Sequence, residues 1–232
     1  MRLAITDAIG TRGSVGTLNP DRMWTGGVMM NEDGSVLSSG VGGIMWNHPD
    51  TGRSGWLIRE IGGTPINGIN EMITDGTGGI YFGTIDLEQI IKGKPTRPAS
   101  LYRLTIGGEA CLVADGLGLV NGIMLSVDRK RLYCNETFDA TYMFDVMPDM
   151  SLANRRLLVK KEDCDGMALD ADGNLWITGF RSSELTRAKP GRMQILRAEA
   201  YNECREHAQF GQFGIADRTA GVRRQCVRLD GR

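Results

Sequence analysis

The chain has 232 residues, a net charge of −1 and a pI of about 6.2, so it carries no charge excess that would draw it to nucleic acid or an anionic membrane. Five cysteines without C-x-x-C spacing exclude a disulfide framework and a structural zinc site. The opening M-R-L-A-I-T-D-A-I-G lacks the apolar centre of a signal peptide, and no run approaches ~18 apolar residues, so a soluble cytoplasmic protein is expected.

Residues 1–22 hold turn formers (Gly10, Gly13, Gly16, Pro20) and one weak strand at Leu3–Ile5, and read as a leader or a partial blade. Gly26–Leu37 is the first clear unit, G-G-V-M-M-N-E-D-G-S-V-L, two short apolar runs around an Asp-Gly turn. Ile44–Trp46 and the turn His48–Gly52 add two further strands. Asn70–Tyr81, N-E-M-I-T-D-G-T-G-G-I-Y, repeats the first pattern. After it, Asp86–Ser100 is a long insertion with a helical turn at Leu87–Ile91 and a proline-containing loop, either covering a site or decorating the surface. Leu101–Ile106 then leads to a Gly107-Gly108 turn.

Asn121–Tyr133 and Asp165–Trp176 are the third and fourth copies, each followed by another apolar pair of strands. The copies start at 26, 70, 121 and 165. About four short strands in roughly forty-five residues is the pattern of a β-propeller blade, which must pack on its neighbours to bury its faces. A sandwich would not repeat a whole four-strand unit, and a β-helix has a shorter period. The expected fold is all-β: propeller blades over 23–196 and a divergent tail over 197–232, partly helical or disordered. A helix over Met193–Phe210 is conceivable but fits its apolar spacing poorly.

The first strand of a blade lines the propeller's channel, so the residues that open the repeats, Gly26, Asn70, Asn121 and Asp165, can converge on the axis. Three oxygen-bearing side chains there would suit a hard cation. Asn and Asp also favour the turn leading into a strand, and spacing alone leaves both readings open.

Other motifs carry less. D-A-D-G-N at Asp170–Asn174 lacks the helical setting of an EF-hand and reads as a turn. G-V-G-G at Gly40–Gly43 lacks dinucleotide-loop spacing and reads as a hairpin. His48 and His207 lie in a turn and in the tail, with no G-x-S-x-G, so a serine hydrolase has little support. Cys134 and Cys164 read as buried, inert thiols.

N-G-I-M-L-S-V-D-R-K-R-L-Y at Asn121 and D-G-M-A-L-D-A-D-G-N-L-W at Asp165, with Asn154–Arg156 between them and I-N-E…Y-F-G-T-I-D around Asn70, resemble the senescence marker protein/gluconolactonase/luciferin-regenerating enzyme family over roughly residues 26–190. The resemblance implies a six-bladed propeller that hydrolyses sugar lactones or similar cyclic esters with one divalent cation, calcium or zinc, or alternatively magnesium or manganese. It implies Asn121 and Asp165 as metal ligands, Asp165 also as general base, and Asn70 with Glu71 as substrate-binding residues. A cation would polarise the lactone carbonyl and acidify a water, and a neighbouring carboxylate would take the water's proton.

The chain departs from this pattern at several points. The E-G-P motif that supplies the family's third ligand is absent, Glu32 lies in a turn, and Gly68 stands where an arginine is frequent. About four blades are recognisable instead of six, as if a first blade were lost and the chain diverged after Gly191. The alternative implied is a non-catalytic propeller remnant or a small-molecule or calcium-binding module. Uncovered blade edges would favour self-association, so sedimentation should show concentration-dependent oligomers; a sharp monomer would contradict this.

Overall fold

Alternation along the second strand of each repeat builds the structure. In the second repeat Ile80 and Phe82 face one way and Tyr81 the other, all three buried, so the sheet needs an apolar neighbour on both sides. A computed structural model describes residues 2–6, 12–17, 22–94, 98–182, 184–189 and 192–197. Four four-stranded antiparallel sheets follow one another along the chain, each with its strands in sequence order.

The first blade comprises β3 (Thr25–Met30), β4 (Val36–Gly40), β5 (Gly43–Asn47) and β6 (Ser54–Ile58). The second comprises β9 (Ile69–Thr74), β10 (Ile80–Thr84), β11 (Ala99–Leu104) and β12 (Ala110–Leu117). β13 (Leu119–Leu125), β14 (Arg131–Thr137), β15 (Ala140–Val146) and β16 (Leu152–Lys160) form the third. The fourth has β17 (Cys164–Leu169), β18 (Leu175–Gly179), β19 (Glu184–Lys189) and β20 (Arg192–Arg197). Two hairpins complete the strands: β1 (Arg2–Thr6) with β2 (Arg12–Thr17), and β7 (Glu60–Ile61) with β8 (Thr64–Pro65).

The expected all-β propeller architecture is present, as is the helical turn in the insertion, α1 (Leu87–Ile91), capped by Asp86 accepting from the Gln89 N–H. The helix considered over Met193–Phe210 does not form at its start. Residues 192–197 are instead the outer strand of the fourth blade, paired residue for residue with β19, because an open strand edge outweighs a weak helical pattern. The rest of that stretch, and the tail from 198, lie outside the described residues.

Three apolar layers join the blades. Leu37, Ile44 and Ile58 meet Ile69, Ile80 and Phe82. Tyr81, Leu101 and Leu117 meet Val120, Ile123 and Leu132. Tyr133, Met143 and Val159 meet Cys164, Leu175 and Ile177. Each large side chain removed from water here contributes about 1.5–3 kcal/mol. Tyr81 adds a polar stitch, its hydroxyl donating to the Met150 carbonyl at 2.7 Å.

The turns after the first strands are held by carboxylates. Asp75 accepts the N–H groups of Thr77 and Gly79 at 2.6 and 2.9 Å, and Asp170 those of Asp172 and Asn174 at 3.0 and 2.8 Å. That places Asp170–Asn174 in a hairpin turn, as its sequence indicates. Asp75 is fully buried and also pairs with Arg103, whose Nε donates at 2.8 Å. Burial alone would push its pKa up, but the Thr77, Arg103 and Gly79 hydrogen bonds together hold it below the ordinary value of 3.8.

A carboxyl depressed on folding stabilises fully above its unfolded value, near 4, and loses that contribution as pH falls through its lower folded value. Asp75→Asn is therefore expected to cost roughly 3 kcal/mol at neutral pH, with a flatter loss of stability below about pH 4, measured by urea denaturation across pH.

Candidate active site

The inner strands β3, β9, β13 and β17 are each interrupted at one place by a β-bulge. Gly26-Gly27 oppose Ser39, Asn70-Glu71 oppose Gly83, Asn121-Gly122 oppose Asn135, and Asp165-Gly166 oppose Thr178. Two residues facing one bend the strand and re-aim its side chains. The bulge therefore occurs at the repeat's opening residue in every blade. The sequence carries a trace of it, since glycine is the second member in three of the four pairs.

All four opening residues line one cavity of about 380 Å³, together with Glu71, Trp24, Thr25, Met167, Trp176 and Thr178 among others. Asn121 Nδ2 donates to Asp165 Oδ1 at 2.5 Å across 44 residues of sequence, and also to Thr137 Oγ1 at 3.1 Å. Asn70 Nδ2 reaches the Val120 carbonyl at 3.5 Å. The candidates Asn70, Glu71, Asn121 and Asp165 are thus brought together. Glu32 is exposed in the turn beyond the opposite end of β3 and takes no part.

Asp165 is half-buried. Burial raises its pKa above the ordinary carboxyl value, with the Asp163 charge in the same sense, against hydrogen bonds from Asn121 and the Gly166 N–H. Cys134 and Cys164 are fully buried thiols; burial pushes Cys164 up to about 12, leaving it unreactive.

The donor chemistry fits a hard cation. The amide nitrogens of Asn70 and Asn121 are anchored on protein acceptors, and the two carbonyl oxygens have no donor among the described residues. With Asp165 they make an oxygen-only set. No group of three or more His, Cys, Asp or Glu side chains placed to hold a metal occurs among the described residues, so a site here would draw on the amide oxygens as well.

Sequence reasoning missed the supports behind this set. Ser39 Oγ donates to the Asn70 carbonyl at 3.2 Å, and Asn135 Nδ2 to the Asp165 carbonyl at 2.5 Å. In each case the residue opposite one blade's bulge holds the opening residue of the next. Leu87, at the start of the insertion's helical turn, and Ile85 just before it are buried with Trp24, which lines the cavity.

Sheets arranged in this way, each with its strands in sequence order and its first strand at a shared cavity, define a β-propeller. The luciferin-regenerating enzyme has the same fold, with a TM-score of 0.66, 17% identity, and coverage of 81% of this chain and 64% of the other. A Xanthomonas campestris gluconolactonase gives 0.63 at 23% identity, covering 74% and 61%. Residues 6–200 match the SMP-30/Gluconolactonase/LRE-like region family, and the chain belongs to it. It is 29% identical to a pentonolactonase of Haloferax volcanii over 65% of this chain and 50% of that one. It is 27% identical to a regucalcin of Danio rerio, over 66% and 54%. The chain thus spans about half the length of these curated relatives. Among the described residues no helix is long and apolar enough to cross a membrane.

Gly122 sets the approach of β13 to β17: a Cβ there would lie 2.7 Å from the Asp165 carbonyl oxygen. Gly122→Ala is expected to cost about 1–3 kcal/mol in urea denaturation by overpacking. Gly107→Ala, whose Cβ would meet only Thr105 Oγ1 at 3.6 Å, should be near neutral in the same measurement.

Proposed function

We propose that the protein hydrolyses a lactone or similar cyclic ester with the help of one divalent cation held by Asn121 and Asp165. The observation that carries this is the 2.5 Å contact between these two side chains in the shared cavity, beside Asn70 and Glu71. Family membership supports the reaction class. An oxygen-only set with one carboxylate favours calcium, magnesium or manganese over zinc.

When bound, the cation supplies Lewis acidity toward the lactone carbonyl and toward water. Asp165 is the proton acceptor. A carboxylate at the wall of the cavity stands where it can take the water's proton. The water oxygen attacks the carbonyl carbon, its proton passes to Asp165, and the ring C–O bond breaks. The same proton then goes to the leaving ring oxygen, giving a hydroxy acid. Asn70 and Glu71 line the cavity where the substrate's polar groups would lie. The expected compartment is the cytoplasm.

A binding module without turnover is the second reading, favoured by the missing glutamate of the E-G-P motif. The test is a gluconolactone hydrolysis assay with EDTA and with added Ca²⁺, Mg²⁺ or Mn²⁺. Cation-dependent turnover is expected, and Asp165→Asn should lower kcat on the order of 10²–10⁴-fold. In the metal-free protein burial favours the protonated Asp165 carboxyl, so protonation competes with the cation and Ca²⁺ affinity should fall as pH is lowered, measured by calorimetry. Cation binding without hydrolysis of any lactone tested would establish the module instead.

A further inference from the structure

Thr137 ends β14, is 3% exposed, and belongs to no motif of the sequence. Its Oγ1 stands 2.8 Å from the Cys164 carbonyl oxygen and 3.1 Å from Asn121 Nδ2. A carbonyl can only accept, so the hydroxyl proton is committed to Cys164. The same oxygen can then only accept, and the group it accepts from must be the amide nitrogen of Asn121. The polarity of the Asn121–Thr137 bond is set by one backbone carbonyl, and Asp165 Oδ1, which accepts from the same amide nitrogen, acts in the same sense.

We propose that Thr137 is a positioning residue of the site: by accepting from Asn121 Nδ2 it selects the amide orientation in which the carbonyl oxygen stays unclaimed for a hard cation. The proposal rests on the cation reading above. If the amide turned over, its oxygen would face an oxygen that has no proton left to give, and its nitrogen would take the place of the cation's donor. Both changes cost free energy in a buried setting. Asn135, two residues earlier on the same face of β14, is oriented by the same logic. Its Nδ2 donates to the Asp165 carbonyl, and its Oδ1 accepts from Thr141 at 2.6 Å. Asn135 holds backbone, whereas Thr137 sets the facing of a side chain that would touch the ion.

Three variants of the full chain separate this role from a structural one. Thr137→Val keeps the shape and loses the hydroxyl, Thr137→Ala does so without a second methyl against the sheet, and Thr137→Ser keeps the hydroxyl. Titration with Ca²⁺ alone, followed by calorimetry, is expected to show affinity about 10–100-fold weaker for Val and Ala and near wild type for Ser. Equal affinity in all four proteins, or a Ser variant as weak as Val, would overturn the proposal. In the same metal-free samples, exchange of the Asn121 side-chain amide protons should be slow in wild type and Ser and fast in Val and Ala. If the wild type binds no Ca²⁺, the cation reading fails. Those exchange rates then decide by themselves whether Thr137 orients Asn121, and equal rates would sink that claim as well.

Discussion

The hydrogen bonds that β14 makes to the first two residues of β17 are the constraint on which the site depends. Thr137 holds the Cys164 carbonyl and Asn135 the Asp165 carbonyl, both from buried side chains. Without them the backbone at the Asp165-Gly166 bulge would lose two hydrogen bonds to the third blade, a net cost of about 0.5–1.5 kcal/mol each. With them the strand can leave regular pairing at the place where Asp165 must turn toward the cavity. The apolar layer of Tyr133, Met143, Cys164 and Ile177 sets the distance between the blades, and the polar pair sets their register.

The same device recurs where the chain allows it. Ser39 reaches from the first blade to the Asn70 carbonyl of the second. In the second blade the corresponding residue is Gly83, and a Cβ there would come within 2.1 Å of Val120 Cγ1, so packing takes the place of a hydrogen bond. In the fourth, Thr178 Oγ1 turns back to the Gly166 carbonyl of its own blade at 3.1 Å. A repeat protein is stabilised by nearest-neighbour interfaces, and here each interface also aims the inner residue of the next unit.

Much of this was legible because it repeats. The spacing of the opening residues locates the inner strands, the Asp-Gly turns locate the hairpins, and Leu87–Ile91 announces its own helical turn. Three features were not legible. Thr137 and Asn135 sit inside an ordinary strand, and their role exists only once β14 and β17 are neighbours in space. The last strand of the fourth blade is expected within the limit at residue 196, but a competing helical pattern over Met193–Phe210 blurs it, and pairing with β19 is what fixes it at Arg192–Arg197. The bulges break the alternation on which strand reading depends, and the glycines at 27, 122 and 166 that permit them look like turn residues when read locally.

The single carboxylate among the four opening residues also has a steric cause. Three blades open on an oxygen-bearing residue and the first opens on Gly26, which could pass for an accident of sequence. It is not free to vary. A Cβ at residue 26 would lie 2.1 Å from the Asn70 carbonyl oxygen, closer than any side chain tolerates. That carbonyl is itself held by Ser39, so it cannot retreat without breaking the first interface. A second carboxylate therefore cannot enter at the position where the repeat would put it. Among the four opening residues Asp165 is thus the one carboxylate, beside two neutral amides, a set that would cancel less of a bound cation's charge than two carboxylates would.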